Sequence, residues 1–439
     1  MALLAPSPVP LARAPHLAPT PPSSARHAPA AGARDGAVDA VRAILLGVVV
    51  LLHALMVGIG IAPDGSPILR NAMEGWDGFA PITWIAQIMP LFFVLGGFAS
   101  FTQWTRTRTR GGSTSDYIAG RMRRLLMPAA GAILATAVGL SALVLAGVPA
   151  DVVATAGYRI SQPLWFLGVY LGCSALVPFM MRMHERHRLS TFAALAAGVI
   201  AVDIVRGATG IAAIGLVNMA FVWLLLQQLG FALADGSLDR IRRGPLVGIA
   251  AAAVAAAAVL ILTGAAPADL IAALNPPMAI LVVAGIAQTA LFLVLRPRLR
   301  VMAQRPRAAA VIGWVNARAM TIYAWHMLVV IALAGLALLA PIVLPMPLSA
   351  GWWISRPLWL AVVLVAVALV AARVGRREAG REAGAPSVGA GRAAGSAILG
   401  TAGVVTILVC GSLPAGWVIG AVLILLALRL AGRSVLASE

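Results

Sequence analysis

The chain has 439 residues, 61% of them hydrophobic and only 11% charged, with a mean hydropathy of +0.94. A soluble domain carries about 25% charged residues, so most of this surface faces something other than water, which excludes an ordinary soluble enzyme. The net charge of +18 comes from 33 basic residues against 15 acidic; every basic one is Arg, and they sit in short clusters between apolar runs rather than on one soluble domain, which argues against a nucleic-acid partner.

In chain order, residues 1–36 are rich in Ala, Pro and Ser and read as a disordered basic tail. A hydrocarbon core of about 30 Å needs about 20 apolar residues per helix. On that length, spans are expected over 40–61, 81–104, 127–148, 163–181, 190–206, 211–234, 246–264, 276–296, 311–340 and 356–373. A Gly, Ala and Arg-rich loop over 374–395 reads as flexible and cytoplasmic. Two shorter apolar runs, 396–411 and 415–430, read as a closing hairpin within 396–439. The fold class is therefore all-α, a polytopic transmembrane helix bundle of ten to twelve spans.

Loop charges supply an independent reading. Arg106, Arg108, Arg110, Arg121, Arg123 and Arg124 follow the second span, and further Arg clusters occupy every second loop thereafter. The loops between them hold few Arg. The positive-inside bias then places both termini in the cytoplasm and makes the span count even, in a multi-pass protein expected in the plasma membrane. With no Lys there is no Walker-type phosphate loop, so an ATP-driven pump with its own nucleotide domain is excluded. Cys173 and Cys410 are far apart and beside apolar runs, so neither a disulfide framework nor a metal site is expected.

Ionisable groups inside spans are costly, so they are the first candidates for function. Arg42 and His53 are eleven residues apart in the first span, which returns them to within about 20° of one face and separates them by roughly 16 Å along the axis. Asp39, one turn before Arg42, is placed to pair with it. A histidine at that depth suits proton transfer from a hydroxyl, although a membrane His also serves as a helix-to-helix hydrogen-bonding residue. Arg121 and Arg124 enter the third span on adjacent turns and suit a phosphate, or else they simply obey the topology rule. His326 in the ninth span either completes the site or hydrogen-bonds within the bundle. Asp203 and Arg206 are expected to form an intrahelical pair, and Trp165, Trp352, Trp353 and Trp359 to anchor at the membrane interface.

Five segments in order carry a resemblance. They are Asp39-Ala-Val-Arg42 with His53-Ala54, Met89 to Phe98 around Gly96-Gly97, Arg121 to Pro128, Pro163-Leu164-Trp165-Phe166-Leu167, and Tyr323-Ala324-Trp325-His326. Together, over 37–373, the chain resembles the integral-membrane acyltransferase-3 family, which includes O-acetyltransferases of lipopolysaccharide, Nod factor and peptidoglycan, and macrolide acylases. The resemblance implies acyl transfer, usually acetyl from cytoplasmic acetyl-CoA, to a hydroxyl of a glycan, a lipid-linked sugar or a similar acceptor. It implies His53 as the catalytic base and Arg42, Arg121 and Arg124 as acyl-CoA-binding or site-orienting residues, with Asp39, Trp165 and His326 in support. Acyl-CoA is then a donor substrate; no bound cofactor or metal is expected, and the partners are the donor, the acceptor and membrane lipid. Pro163 stands where family members often have His, and the Arg124 to Pro128 spacing is one residue longer than usual, which leaves the assignment open among Arg121, Arg123 and Arg124. The rival reading is a secondary transporter or lipid flippase, for which paired half-repeats and broken helices at the midplane are expected.

Overall fold

The computed structural model describes residues 35–61, 67–379 and 387–432. The first half holds α1 (Gly36–Met56), β1 (Val57–Ile61), β2 (Pro67–Asn71), α2 (Phe79–Ala86), α3 (Met89–Thr109), α4 (Thr114–Leu145), α5 (Ala150–Ser161), α6 (Leu164–Thr209) and α7 (Asn218–Ala234). The second half holds α8 (Arg243–Leu262), α9 (Ala279–Gln304), α10 (Pro306–Ala317), α11 (Ala319–Leu339), α12 (Ala350–Ala379), α13 (Ala390–Cys410) and α14 (Pro414–Leu430). Among the described residues ten helical stretches are long and apolar enough to cross a membrane, and α14 is a shorter apolar helix. The expected helix bundle of a multi-pass membrane protein is therefore present.

Several expected boundaries move. Asp35, inside the stretch read as tail, is the N-cap of α1, its carboxylate accepting from the Ala37 N–H at 2.9 Å. The run 40–61 stays helical only to Met56, and residues 57–61 pair antiparallel with 67–71, Val57 opposite Asn71 and Gly58 opposite Arg70. A sequence of apolar residues and Gly is as compatible with a buried strand as with a helix, so apolar length alone does not separate the two here. Spans 163–181 and 190–206 belong to one helical stretch, α6, broken at His187 (φ −138°, ψ 45°). The run 311–340 is two helices meeting at Arg318 (φ −121°, ψ 15°). The final hairpin is longer than expected, because α13 begins at Ala390, within the stretch read as loop; residues 380–386 of that loop lie outside the described ones.

Close crossings explain the Gly96-Gly97 pair. A side chain at Gly97 would collide with the Gln227 carbonyl of α7, and one at Gly96 would lie 2.9 Å from the Tyr170 ring of α6. Small residues at such positions let membrane helices pack backbone to backbone. α4 starts with a capping box in which Ser113 and Asp116 satisfy each other's backbone N–H groups. Its length carries it past α11, α13 and α14, which all pack on it.

The arginine-bearing helix ends are tied together. Arg108 at the end of α3 pairs with Glu185 in α6 at 2.9 Å, Arg188 pairs with Asp235 after α7 at 3.1 Å, and Arg296 in α9 pairs with Asp35 before α1 at 2.7 Å. Asn316 at the end of α10 donates to the Asp39 carbonyl at 2.8 Å. These contacts define an arginine-rich end of the bundle.

Two expected ion pairs are replaced. Among the described residues Asp39 and Arg42 form no salt bridge; it is Asp35 that collects the arginines. Asp203 accepts from Asn218 Nδ2 at 3.0 Å and from the Ala279 N–H at 2.7 Å, joining α6, α7 and α9, while Arg206 acts on it through charge without a salt bridge among the described residues. The aromatic cluster is also not a simple interface belt. Trp352 is fully buried with its ring against Trp353, and Trp359 Nε1 donates to the Ala54 carbonyl at 2.9 Å. A half-buried Trp165 packs on Phe166 and Trp223.

Candidate active site

α1 and α11 bring His53 and His326 together. The rings lie 5.0 Å apart between centroids, with His326 Nε2 3.3 Å from His53 Nδ1. His53 is half-buried in the last turn of α1, whereas His326 is completely buried. From Asp39, level with Asn316, the rise to His53 is about 21 Å, and α11 runs on past His326 to Leu339 for about 20 Å at 1.5 Å per residue. The pair therefore lies about halfway along the bundle even though α1 ends just beyond it.

Hydrogen bonding fixes which nitrogens carry protons. A carbonyl oxygen only accepts. His326 Nδ1 is 2.6 Å from the Tyr323 carbonyl, so in the neutral ring Nδ1 holds the hydrogen and Nε2 the lone pair. His53 Nδ1 faces two acceptors, the Val49 carbonyl at 2.9 Å and His326 Nε2 at 3.3 Å, so it too carries the hydrogen and donates to both. The lone pair of neutral His53 is left on Nε2. Tyr323 in turn donates its hydroxyl to the Pro163 carbonyl at 2.7 Å, anchoring α11 to the start of α6. The Trp359 bond to the Ala54 carbonyl holds the end of α1 from the other side.

His53 opens onto a cavity of about 750 Å³ walled by the β1–β2 hairpin, the second half of α4, α5 and the second half of α11. Such a volume suits a small-molecule ligand.

Between the histidines and the arginine-rich end lies the second group of expected residues. Arg121 is buried at 5% exposure and donates to Gln103 Oε1 at 3.0 Å, Tyr170 Oη at 3.1 Å and Ser174 Oγ at 3.4 Å. Its guanidinium lies 5.6 Å from the centre of the Tyr170 ring, and its Nε has no hydrogen-bond partner among the described residues. Arg42 and Arg124 are close enough to act electrostatically on the Tyr170 hydroxyl. Arg121 is the arginine that bonds this tyrosine, with Arg42 and Arg124 within electrostatic range of it, and among the described residues none of Arg121's hydrogen-bond partners is a carboxylate. Arg123, the third alternative, points elsewhere and donates to the Ala431 carbonyl after α14.

Gln103, Tyr170 and Ser174 were not singled out from the sequence. Tyr170 and Ser174 are four residues apart on α6, on one helical face, and that spacing was the available signal. Asp39 contributes its backbone carbonyl to Asn316. Trp165 packs on Phe166, whose ring meets that of Tyr323, which in turn lies 6.1 Å between centroids from His326.

Comparison with curated proteins finds no match, and comparison with solved structures finds none. A family model described as an acyltransferase domain, that of the acyltransferase-3 family, matches residues 35–373, from the cap of α1 into the last third of α12. That match takes in both histidines, the Tyr170 cluster and the cavity walls, and the chain belongs to the acyltransferase-3 family of membrane acyltransferases.

Proposed function

We propose that the protein transfers an acyl group, acetyl in the simplest case, from acyl-CoA on the cytoplasmic side to a hydroxyl of a carbohydrate, glycolipid or secondary metabolite in the plasma membrane, with both termini cytoplasmic. The observation that carries this reading is the proton arrangement at His53, whose only free lone pair, Nε2, is left available beside a cavity. The arginine group supports the donor assignment. A buried guanidinium without a carboxylate partner is costly unless an anion completes it, and the phosphates of a coenzyme supply that charge with bidentate geometry. Arg42, Arg121 and Arg124 are the residues in this role.

In the reaction the acceptor hydroxyl approaches from the cavity and His53 Nε2 takes its proton as the oxygen attacks the thioester carbonyl. The tetrahedral oxyanion collapses by breaking the carbon–sulfur bond. The imidazolium returns its proton to the departing coenzyme thiolate, so the ester and free thiol are the products and His53 is neutral again. His326 is a positioning residue: its Nε2 accepts from His53 Nδ1 throughout, holding the ring and sharing the positive charge that appears on His53 during transfer.

The test uses full-length protein in lipid nanodiscs, labelled acetyl-CoA and membrane extracts as acceptor. His53→Ala is expected to lower transfer by about 10²–10⁴-fold with thermal unfolding unchanged. Transfer at the wild-type rate by folded His53→Ala protein overturns the reading.

A further inference from the structure

The cavity above His53 is divided along its length. At its inner end the strand register sets Arg70 and Asn71 opposite Gly58 and Val57, immediately after the last turn of α1. Arg159 of α5 donates to Gln162 Oε1 at 3.3 Å, and Gln162 directly precedes Pro163, whose carbonyl holds the Tyr323 hydroxyl one turn from His326. The wall near His53 is therefore polar and carries two guanidinium groups, neither of which pairs with a carboxylate among the described residues. From Met327 to Leu339 the cavity follows α11 for about 18 Å, and that outer part is walled by aliphatic side chains such as Leu143, Val148 and Leu336. Two glycines on facing helices make the room. Gly139 of α4 and Gly335 of α11 both line the cavity, and a methyl group added at either would meet nothing within 4 Å.

An apolar shaft gains from a hydrocarbon chain and discriminates against a bare sugar, since burying polar groups without partners is costly. The donor's own acyl chain fits less well. It would have to cross the arginine-lined floor before reaching the shaft. We propose that the cavity takes the acceptor, and that the acceptor is an anionic amphiphile: a hydroxylated, phosphate-bearing head on Arg70 and Arg159 beside His53, with its apolar chain in the shaft between α4 and α11. The assignment rests on the acyl-transfer reading for calling the ligand an acceptor, while its occupancy can be tested without any donor.

The probe is the dodecyl phosphodiester of glucose 1-phosphate with a diazirine at the chain end, photolysed with full-length protein in phosphatidylcholine nanodiscs in the absence of acyl-CoA. Label is expected on the peptides carrying the second halves of α4 and α11. Unlabelled phosphodiester should displace it at about tenfold lower concentration than dodecyl glucoside, and glucose 1-phosphate should not compete. Gly139→Leu and Gly335→Phe, which fill the shaft from opposite walls, should each cut labelling by about tenfold. Arg159→Gln should erase the preference for the phosphodiester over the glucoside. Label spread over lipid-facing peptides and unchanged in both glycine variants overturns the proposal, as does equal competition by the neutral glucoside. Displacement by palmitoyl-CoA but not by the phosphodiester overturns it in favour of the donor chain. Specific labelling combined with no acyl transfer from any acyl-CoA would instead sink the transferase chemistry and leave the amphiphile site standing.

Discussion

Two buried arginines, Arg121 in α4 and Arg296 in α9, are 5% and 8% exposed and yet sit in opposite electrostatic surroundings. Arg296 donates through Nε and Nη2 to Asp35 at 3.0 and 2.7 Å and through Nη1 to Asp239, while Arg300 joins Asp35 at 2.8 Å. Two cations face two carboxylates. Among the described residues Arg121 bonds only to neutral oxygens, and Arg42 and Arg124 act electrostatically on the same tyrosine. One cluster is electrically complete within the protein and ties α1 to α9; the other, on the proposed reading, takes the counter-charge of Arg121 from the acyl donor. A buried arginine by itself signals neither role, and the charge of its partners separates them.

The contrast breaks most visibly on the structural side. Arg296→Met leaves Asp239 without its guanidinium and Asp35 with Arg300 alone, and removing one member of a buried pair costs about 3–5 kcal/mol. Thermal unfolding in nanodiscs should fall accordingly. Arg121→Met is expected to leave stability within about 1 kcal/mol, because exchanging an uncompensated buried charge for an apolar chain is often neutral or favourable. Its loss is in function instead, with donor binding measured by equilibrium dialysis of labelled acetyl-CoA weakened about hundredfold, which corresponds to about 2.7 kcal/mol. If the Arg121 variant unfolds while the Arg296 variant is stable and inactive, the two roles are reversed.

The next effect is on pH. Burial pushes the Asp35 carboxyl up, but hydrogen bonds from Arg300 and Arg296 and their charges outweigh it and hold its pKa at about 2 rather than the ordinary 3.8. A carboxylate with a lowered folded pKa stabilises above its unfolded value and loses that contribution as pH falls toward the folded one. Asp35 should therefore contribute about 2 kcal/mol at neutral pH, lost between about pH 4 and pH 2. Asp35→Asn should remove this acid-dependent step from the unfolding curve. An identical acid profile in the variant would assign the step to other carboxylates.

What the sequence made legible follows from how local each feature is. The Arg42 and His53 spacing lies within one helix, and so does the apolar length of each span; both are read from a few turns. Partners from distant segments are not. Asp39 looked like the partner of Arg42 because it is three residues away, whereas the carboxylate that gathers charge is Asp35, whose arginines are 261 and 265 residues along the chain. His326 was visible as an intramembrane histidine, but the bond to His53 that fixes both tautomers spans 273 residues. Trp359 looked like an interface anchor because composition shows that a tryptophan is present and not which way it faces; it holds the carbonyl next to His53. The hairpin after Met56 was hidden because its apolar residues extend the run of α1.

The smallest expected effect probes how Arg121 is held. Tyr170 supplies one of three neutral acceptors to the guanidinium, and its ring lies in the space that Gly96 leaves open. Tyr170→Phe keeps the ring and removes only the oxygen, so Arg121 retains Gln103 and Ser174. A single hydrogen bond to a charged group contributes about 1.5–3 kcal/mol at most, and less when alternatives remain. Donor binding should therefore weaken about three- to tenfold, well short of the Arg121 variant, with the unfolding temperature unchanged. A loss as large as that of Arg121→Met would mean that the tyrosine hydroxyl itself contacts the anion, and the neutral partner would then belong to the ligand site rather than to its support.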